Sequence, residues 1–284
     1  MFWALATAIS LHLAVGIAPS ETAATANTAP NRSWQQVSPD ESPSYDVSAE
    51  RELLKLANAD RARAGLPPLR TDEGLVRAAR AHAAEMASQN QLSHQFSGEP
   101  SLTERISAGA TLHLSRVGEN VAIATTVEDA HQALMSSSPH RDNLLNASYN
   151  IAGFGVFRSG NRLYVAQDFG SNLATYSVQQ AQELVTTSVE QLRAQARMPR
   201  LQRVDNGSTQ SSACAMAQAN SLSVADPRPG AYMLRYTSMQ PETLPADISK
   251  VIAHRGLHTY SADTCYARTQ KYPNGAYWVV LVFY

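Results

Sequence analysis

Cysteine is nearly absent. The 284 residues hold two, Cys214 and Cys265, both in the C-terminal half. That excludes a dense disulfide framework, a zinc finger and a cysteine nucleophile anywhere in the first 213 residues. Charge of one sign is missing too: 23 basic against 24 acidic residues leave a formal net charge of −1, and no basic run gives a footprint for nucleic acid. The chain contains no Walker-type glycine-rich loop and no G-x-S-x-G elbow, so nucleotide binding and serine hydrolysis have no sequence support. Its one long apolar run, MFWALATAISLHLAVGIA over residues 1–18, is interrupted by His12 and is short for a bilayer.

That run is followed by small residues, and Ala24-Thr25-Ala26 fits an A-x-A cleavage site. Residues 1–26 are therefore expected to be a secretory signal peptide, with a buried N-terminal helix as the alternative. The mature protein would be secreted or periplasmic, with no stable membrane span. Residues 27–47, rich in Ser, Pro, Asn and Thr, are expected as a flexible linker.

Beyond residue 48 the pattern is ordered. Ser48 is placed to cap a first helix, which Gly65 and Pro67-Pro68 end. Asp72 caps a second helix, whose Leu75, Ala78, Ala79, His82, Ala83 and Met86 share one face. His82 thus reads as a packing residue. Arg105 lies on a short helix over 102–107 and reads as a solvated surface arginine, with the bracing of a carboxylate as the alternative; His113 and His258 also read as surface residues. VAIAT (121–125) reads as a strand, and Thr126 caps a helix over 127–135. IAGFGVF (151–157) and RLYVAQDF (162–169) read as a hairpin closed by Ser159-Gly160-Asn161. A linking helix is expected over 173–197. In 198–284, MPRLQRVDNG resembles LPPLRTDEG (66–74), and a helix and a hairpin turning at Pro273-Asn274-Gly275 follow. The two readings open there are a truncated repeat of the first module and a coincidental helix-plus-hairpin.

Three polar clusters stand out in apolar or small-residue surroundings: LSH ending at His94, GEN at 118–120, and SSSPHR at 136–141. Each candidate residue sits beside a chain break: Gly98 after His94, Gly118 before Glu119, Pro139 before His140. Two imidazoles and one carboxylate suit a divalent metal or acid/base work.

With NADRARAGLPPL (58–69), LVRAARAHAAEMA (75–87), ERISAGA (104–110), SSSPHRDNLLN (136–146) and YVAQDFG (164–170), these clusters resemble, block by block and in order, a bacterial-type member of the CAP superfamily (cysteine-rich secretory proteins, antigen 5, pathogenesis-related proteins; the SCP-like extracellular domain). The resemblance covers residues 50–170. It implies an α+β fold, a three-layer α–β–α sandwich over 48–172; over 198–284 the repeat reading then adds a smaller, degenerate CAP-like α+β half, with the helix-plus-hairpin domain as the alternative. It places His94 and His140 on opposite rims of one cleft with Glu119 between them, and Asn120 and Arg141 as supports, Arg141 by pairing with a carboxylate. Family members often carry a second glutamate before the second histidine; here HQALMSSS (131–138) has none.

Three functions are compatible with that cleft. It binds a lipid, peptide or cell-envelope ligand without turnover; or His94 and His140 hold Zn²⁺, with Glu119 as candidate base of a hydrolase or protease; or the polar set is a structural network. No catalytic residue is assigned beyond that candidate. In the repeat reading Cys214, on a helix, pairs with Cys265 on the strand beneath it, two buried thiols being the alternative; the bridge would contribute about 4 kcal/mol in the chain-entropy model.

Overall fold

The computed structural model describes residues 44–205, 207–223 and 232–284, with only the backbone of 207 and 208. The expected signal peptide and most of the expected linker lie outside the described residues. The part of the linker that is described is ordered: Tyr45 bridges Phe157, and Asp46 rather than Ser48 caps the first helix by accepting from Ala49 N. Asp46 succeeds because its carboxylate also receives Arg158, which ties the cap to the sheet.

The first half is a four-stranded sheet between two helical layers. α1 (Val47–Arg63), β1 (Arg70–Thr71), α2 (Glu73–Gln89), α3 (Leu102–Gly109), β2 (Leu114–Ala124), α4 (Val127–Ser136), α5 (Ser138–Leu144), β3 (Ile151–Ser159) and β4 (Arg162–Asn172) follow in order, and the sheet runs β1-β3-β4-β2. Alternation along β3 explains the layers. Ala152, Phe154 and Val156 join Leu53, Ala57 and Leu134 in the core on the α1/α4 side. Gly153 and Gly155 face α2, and a Cβ on Gly153 would stand 2.1 Å from the backbone of Leu75 and Val76. The missing side chains let α2 lie directly on the sheet.

The second half repeats this plan. α6 (Val178–Gln195), β5 (Gln202–Arg203), α7 (Gly207–Ala219), β6 (Tyr232–Ser238), α8 (Ile248–Ile252), β7 (Thr259–Ala267) and β8 (Ala276–Phe283) form a sheet of order β5-β7-β8-β6, again with one parallel edge strand. α6 is not a mere linking helix: it buries Ala181, Val185 and Val189 in the core of the second sheet. Two buried arginines give the register of the repeat. Arg61 donates to the carbonyls of Pro67, Leu144 and Asn146; Arg193 donates to those of Pro199, Ile252 and His254. Each guanidinium clips its first helix to the end of a later one by satisfying carbonyls that would otherwise be orphaned. Cys214 and Cys265 form the disulfide between α7 and β7.

The halves meet around His113, which is 1% exposed rather than on the surface. Its Nδ1 donates to the Ala174 carbonyl at 3.2 Å, while Tyr266 and Tyr277 stand edge-on to its ring at 5.2 and 5.7 Å. Burial, aided by the nearby Arg268 charge, holds its pKa below the ordinary value. A lowered imidazole pKa favours the neutral form in the folded state, so the unfolded chain binds the extra proton first. Stability from His113 is complete above about pH 6.5 and is lost as pH falls through the folded value. His113→Gln, which keeps a donor for Ala174, is expected to flatten that acid limb in urea unfolding followed from pH 7.5 to 5; an unchanged limb would contradict it.

Candidate functional site

β2 is the edge strand of the first sheet beside the interior strand β4, and their register places Glu119 directly opposite Asp168 and Asn120 opposite Gln167. All four side chains are buried. Glu119 is thus mid-strand rather than beside a chain break, because β2 begins at Leu114, five residues before it. Alternation sends Glu119 and Asp168 to the α2/α3 side and Asn120 and Gln167 to the opposite face.

On the α2/α3 side Glu119 receives two charged partners. His94 Nδ1 lies 2.9 Å from one carboxylate oxygen, and a guanidinium nitrogen of Arg105 is in close contact with the other. Arg105 is 1% exposed, not solvated. Its second terminal nitrogen lies 3.1 Å from Glu99 and 3.3 Å from the His94 carbonyl. His82 completes the set. Its Nδ1 is 2.6 Å from the Glu99 carboxylate and its Nε2 is 2.8 Å from the Ser93 carbonyl. Both neighbours are pure acceptors, so both ring nitrogens donate. His82 therefore packs, as its position on the helix face predicts, and also pins the backbone immediately before His94.

The opposite rim is built by α5. Pro139 does not present His140 on a loop: it lies in the first turn of α5, where proline is tolerated, so His140 is helical. Its Nδ1 lies 2.8 Å from Ser137 Oγ. Asn120 reaches under this helix and donates to the His140 carbonyl at 3.0 Å and to Gln167 Oε1 at 3.2 Å, while Asn143 donates to Asn120 Oδ1 at 3.1 Å. Arg141 pairs with no carboxylate among the described residues; it donates to the Met135 carbonyl at 3.3 Å.

The structure thus brings His94, Glu119 and His140 together. The two imidazole rings are nearly parallel, 21° apart, with centroids 6.4 Å apart. The His94 side chain is 60% exposed, while Glu119 beneath it is 4% exposed. The hydrogen bond to Glu119 raises the His94 pKa against the effect of burial; burial, then the neighbouring His94, lowers that of His140. With Nδ1 of each ring engaged, the two Nε2 atoms remain to face a ligand.

Zn²⁺ would meet only those two imidazoles. Glu119 spends its oxygens on His94 and Arg105, and no group of three His, Cys, Asp or Glu side chains is arranged for a metal ion among the described residues. Three protein ligands are usual for zinc, so the donors fit a solvent-open, exchangeable ion rather than a tightly held one. The carboxylates lacking on the helix before His140 are found elsewhere, as Glu99 and Asp168.

Sequence reasoning missed Glu99 and Asp168, and it set Arg105 on the surface although bracing a carboxylate, its second reading, is what the structure shows. Only Asp168 left a signal: Gln167-Asp168 is a polar pair within an otherwise apolar strand flanked by two others. Arg105→Met would leave Glu99 and Glu119 buried with one cation fewer, and breaking such a pair costs about 3–5 kcal/mol. Urea unfolding is expected to show that loss, whereas Arg200→Met, which breaks an exposed pair with Glu190, is expected to show little.

The family model for the cysteine-rich secretory protein family, CAP, matches residues 54–180. An uncharacterized Bacillus subtilis (strain 168) protein, YkwD, is 32% identical over 138 residues, 48% of this chain and 53% of its own; the chain spans about half the length of that relative. The solved structure of an extracellular SCP-domain protein from Bacillus anthracis is 27% identical and aligns over 43% of this chain and 40% of its own, with a TM-score of 0.39. That of Na-ASP-1 aligns over 85% of this chain and 90% of its own at 9% identity and a TM-score of 0.49. Residues 54–180, which hold the sequence blocks and the sandwich, thus form a CAP domain.

Proposed function

We propose that this chain is an extracytoplasmic binding module whose ligand, a lipid, peptide or cell-envelope fragment, contacts the His94–His140 pair above Glu119. Export rests on the signal-like residues 1–26, and no helix among the described residues is long and apolar enough to cross a membrane.

The observation that carries the reading is the contrast between the two halves. The parallel strand pairs align Arg70–Ile151 with Gln202–Thr259, and the antiparallel registers then align Glu119–Asp168 with Met233–Val282. The arginine clips align Leu144 with Ile252, and so His140 with Ile248. The second half therefore carries Met and Val in its sheet and Ile on its α8 helix where the first half has Glu, Asp and His. The fold does not need the polar set, and buried charges are costly. Their retention at one site supports a role in recognition over a purely structural network.

Binding is favoured over hydrolysis by the state of Glu119. A general base must reach a water or a substrate proton, and this carboxylate is nearly inaccessible and already engaged by His94 and Arg105. It serves better to orient His94, setting Nδ1–H inward and Nε2 outward. A weakly held Zn²⁺ would be carried by the same two Nε2 atoms, as a secondary use of the site.

Ligand-observed NMR of the purified protein with fatty acids, short peptides and peptidoglycan fragments tests this, run beside Zn²⁺ titration. Wild type is expected to bind at least one class, and His94→Ala/His140→Ala to lose it by tenfold or more. Zn²⁺ affinity is expected to be weak and to fall as pH drops through the His94 midpoint, which lies above the ordinary value near 6.5. Binding unaffected by the double substitution, or turnover of a bound fragment, would contradict the proposal.

A further inference from the structure

Asp168 is the one buried charged side chain of the cleft that the account above leaves without a task. It is fully buried, in the middle of the central strand β4. Neither carboxyl oxygen has a hydrogen-bond donor in reach. The groups facing it can be named element by element. On β2 it meets Glu119, directly opposite in register. On β3 the opposing residue is Gly153, which contributes no side chain. The charges of Arg105, from α3, and of Glu99, from the loop between α2 and α3, also act on it; from α2, which covers this face, His82 reaches Glu119 at 3.9 Å. Arg105 and His82 are already shared between Glu99 and Glu119.

An ionised Asp168 would therefore be a third buried carboxylate with no donor, beside a second negative charge. That arrangement costs several kcal/mol. One proton removes the problem. The acid form supplies its own O–H, and the acceptor opposite is Glu119. Burial, then the Glu119 charge, shifts the Asp168 equilibrium well toward that form.

We propose that Asp168 is kept as the neutral carboxylic acid and, by donating a hydrogen bond to Glu119, is the positioning residue that holds Glu119 as the ionised acceptor for His94. Arg105 and the ring nitrogens of His82 then serve only the Glu99 and Glu119 carboxylates, and Asp168 adds no further charge. Two neighbouring carboxyls are driven to opposite states by their surroundings, the arrangement by which a protein keeps an acid and its conjugate acceptor side by side at neutral pH. This deepens the binding reading, since it explains how Glu119 keeps its orientation, but its test needs no ligand.

The test uses the full chain at pH 7 and two readouts. The first is the infrared carbonyl stretch of a protonated carboxylic acid, assigned to aspartate by ¹³C-aspartate labelling. Asp263 is also buried, with its pKa raised, so the spectrum is taken in the Asp263→Asn background. A ¹³C-sensitive acid band is expected there, and its absence overturns the proposal whether or not any Asp168 variant folds. The second is the ring titration of His94 by NMR. Asp168→Asn replaces one neutral donor by another, and the His94 midpoint is expected to stay in place. Asp168→Val, the residue the second half carries at this position, removes the donor, makes Glu119 a stronger acceptor and is expected to raise the midpoint by roughly half to one pH unit. A midpoint that falls in Asp168→Asn would mean a negative charge had been removed, and would equally overturn the proposal. Failure of every ligand screen would leave both readouts unaffected.

Discussion

The cleft depends on one buried guanidinium. Arg105 stands between Glu99 and Glu119, and with His82 it offsets two carboxylates that water cannot reach. Because these charges are buried, their geometry is exacting: each must find its partner or pay full desolvation. The consequence travels to the surface through the backbone. Arg105 donates to the His94 carbonyl and His82 to that of Ser93, so the network fixes the segment that carries the exposed imidazole. The outward edge of His94 is exposed to solvent, and its inward nitrogen is held by Glu119.

The duplicated architecture separates what the fold requires from what the cleft requires. Arg61 and Arg193 make matching contacts in the two halves, so the guanidinium clip belongs to the fold. The helix-on-sheet contact belongs to it too, since α2 and α7 each cover one face. The first half lays α2 on Gly153 and Gly155. The second instead carries Ser261 and Asp263 at those positions, Asp263 taking hydrogen bonds from Thr209 and Gln182. Among its described residues it also has nothing like the segment 92–109, which supplies His94, Glu99 and Arg105. Among the described residues, the polar network and that segment occur together in the first half only.

Much of this was legible in the residues. Capping by Asp72 and Thr126, the hairpin turn at Gly160 and the three polar clusters each have a local cause, so they could be read without a structure. Asp46 displaced Ser48 as a cap because its partner, Arg158, is 112 residues away. Arg105 and His113 were misjudged for the same reason: periodicity shows which face a residue takes, not whether a distant carboxylate or an opposing domain closes over it. The breaks beside Glu119 and His140 were misleading, since Gly118 lies within a strand and Pro139 opens a helix. Asp168 shows the limit most plainly, because its meaning lies wholly in the strand register that sets it opposite Glu119.

The central claim is that the buried charges serve the cleft and not the fold. Replacing the set together, His82→Gln, Glu99→Gln, Arg105→Met, Glu119→Met and Asp168→Val, and following unfolding in urea, tests it most directly. Removing a balanced buried network as a unit is often neutral or stabilising. The account predicts a single cooperative transition within about 2 kcal/mol of wild type, with a His94 ring that titrates as an ordinary exposed imidazole. Loss of the cooperative transition in the first half would show that the network holds up the fold, and would contradict the account.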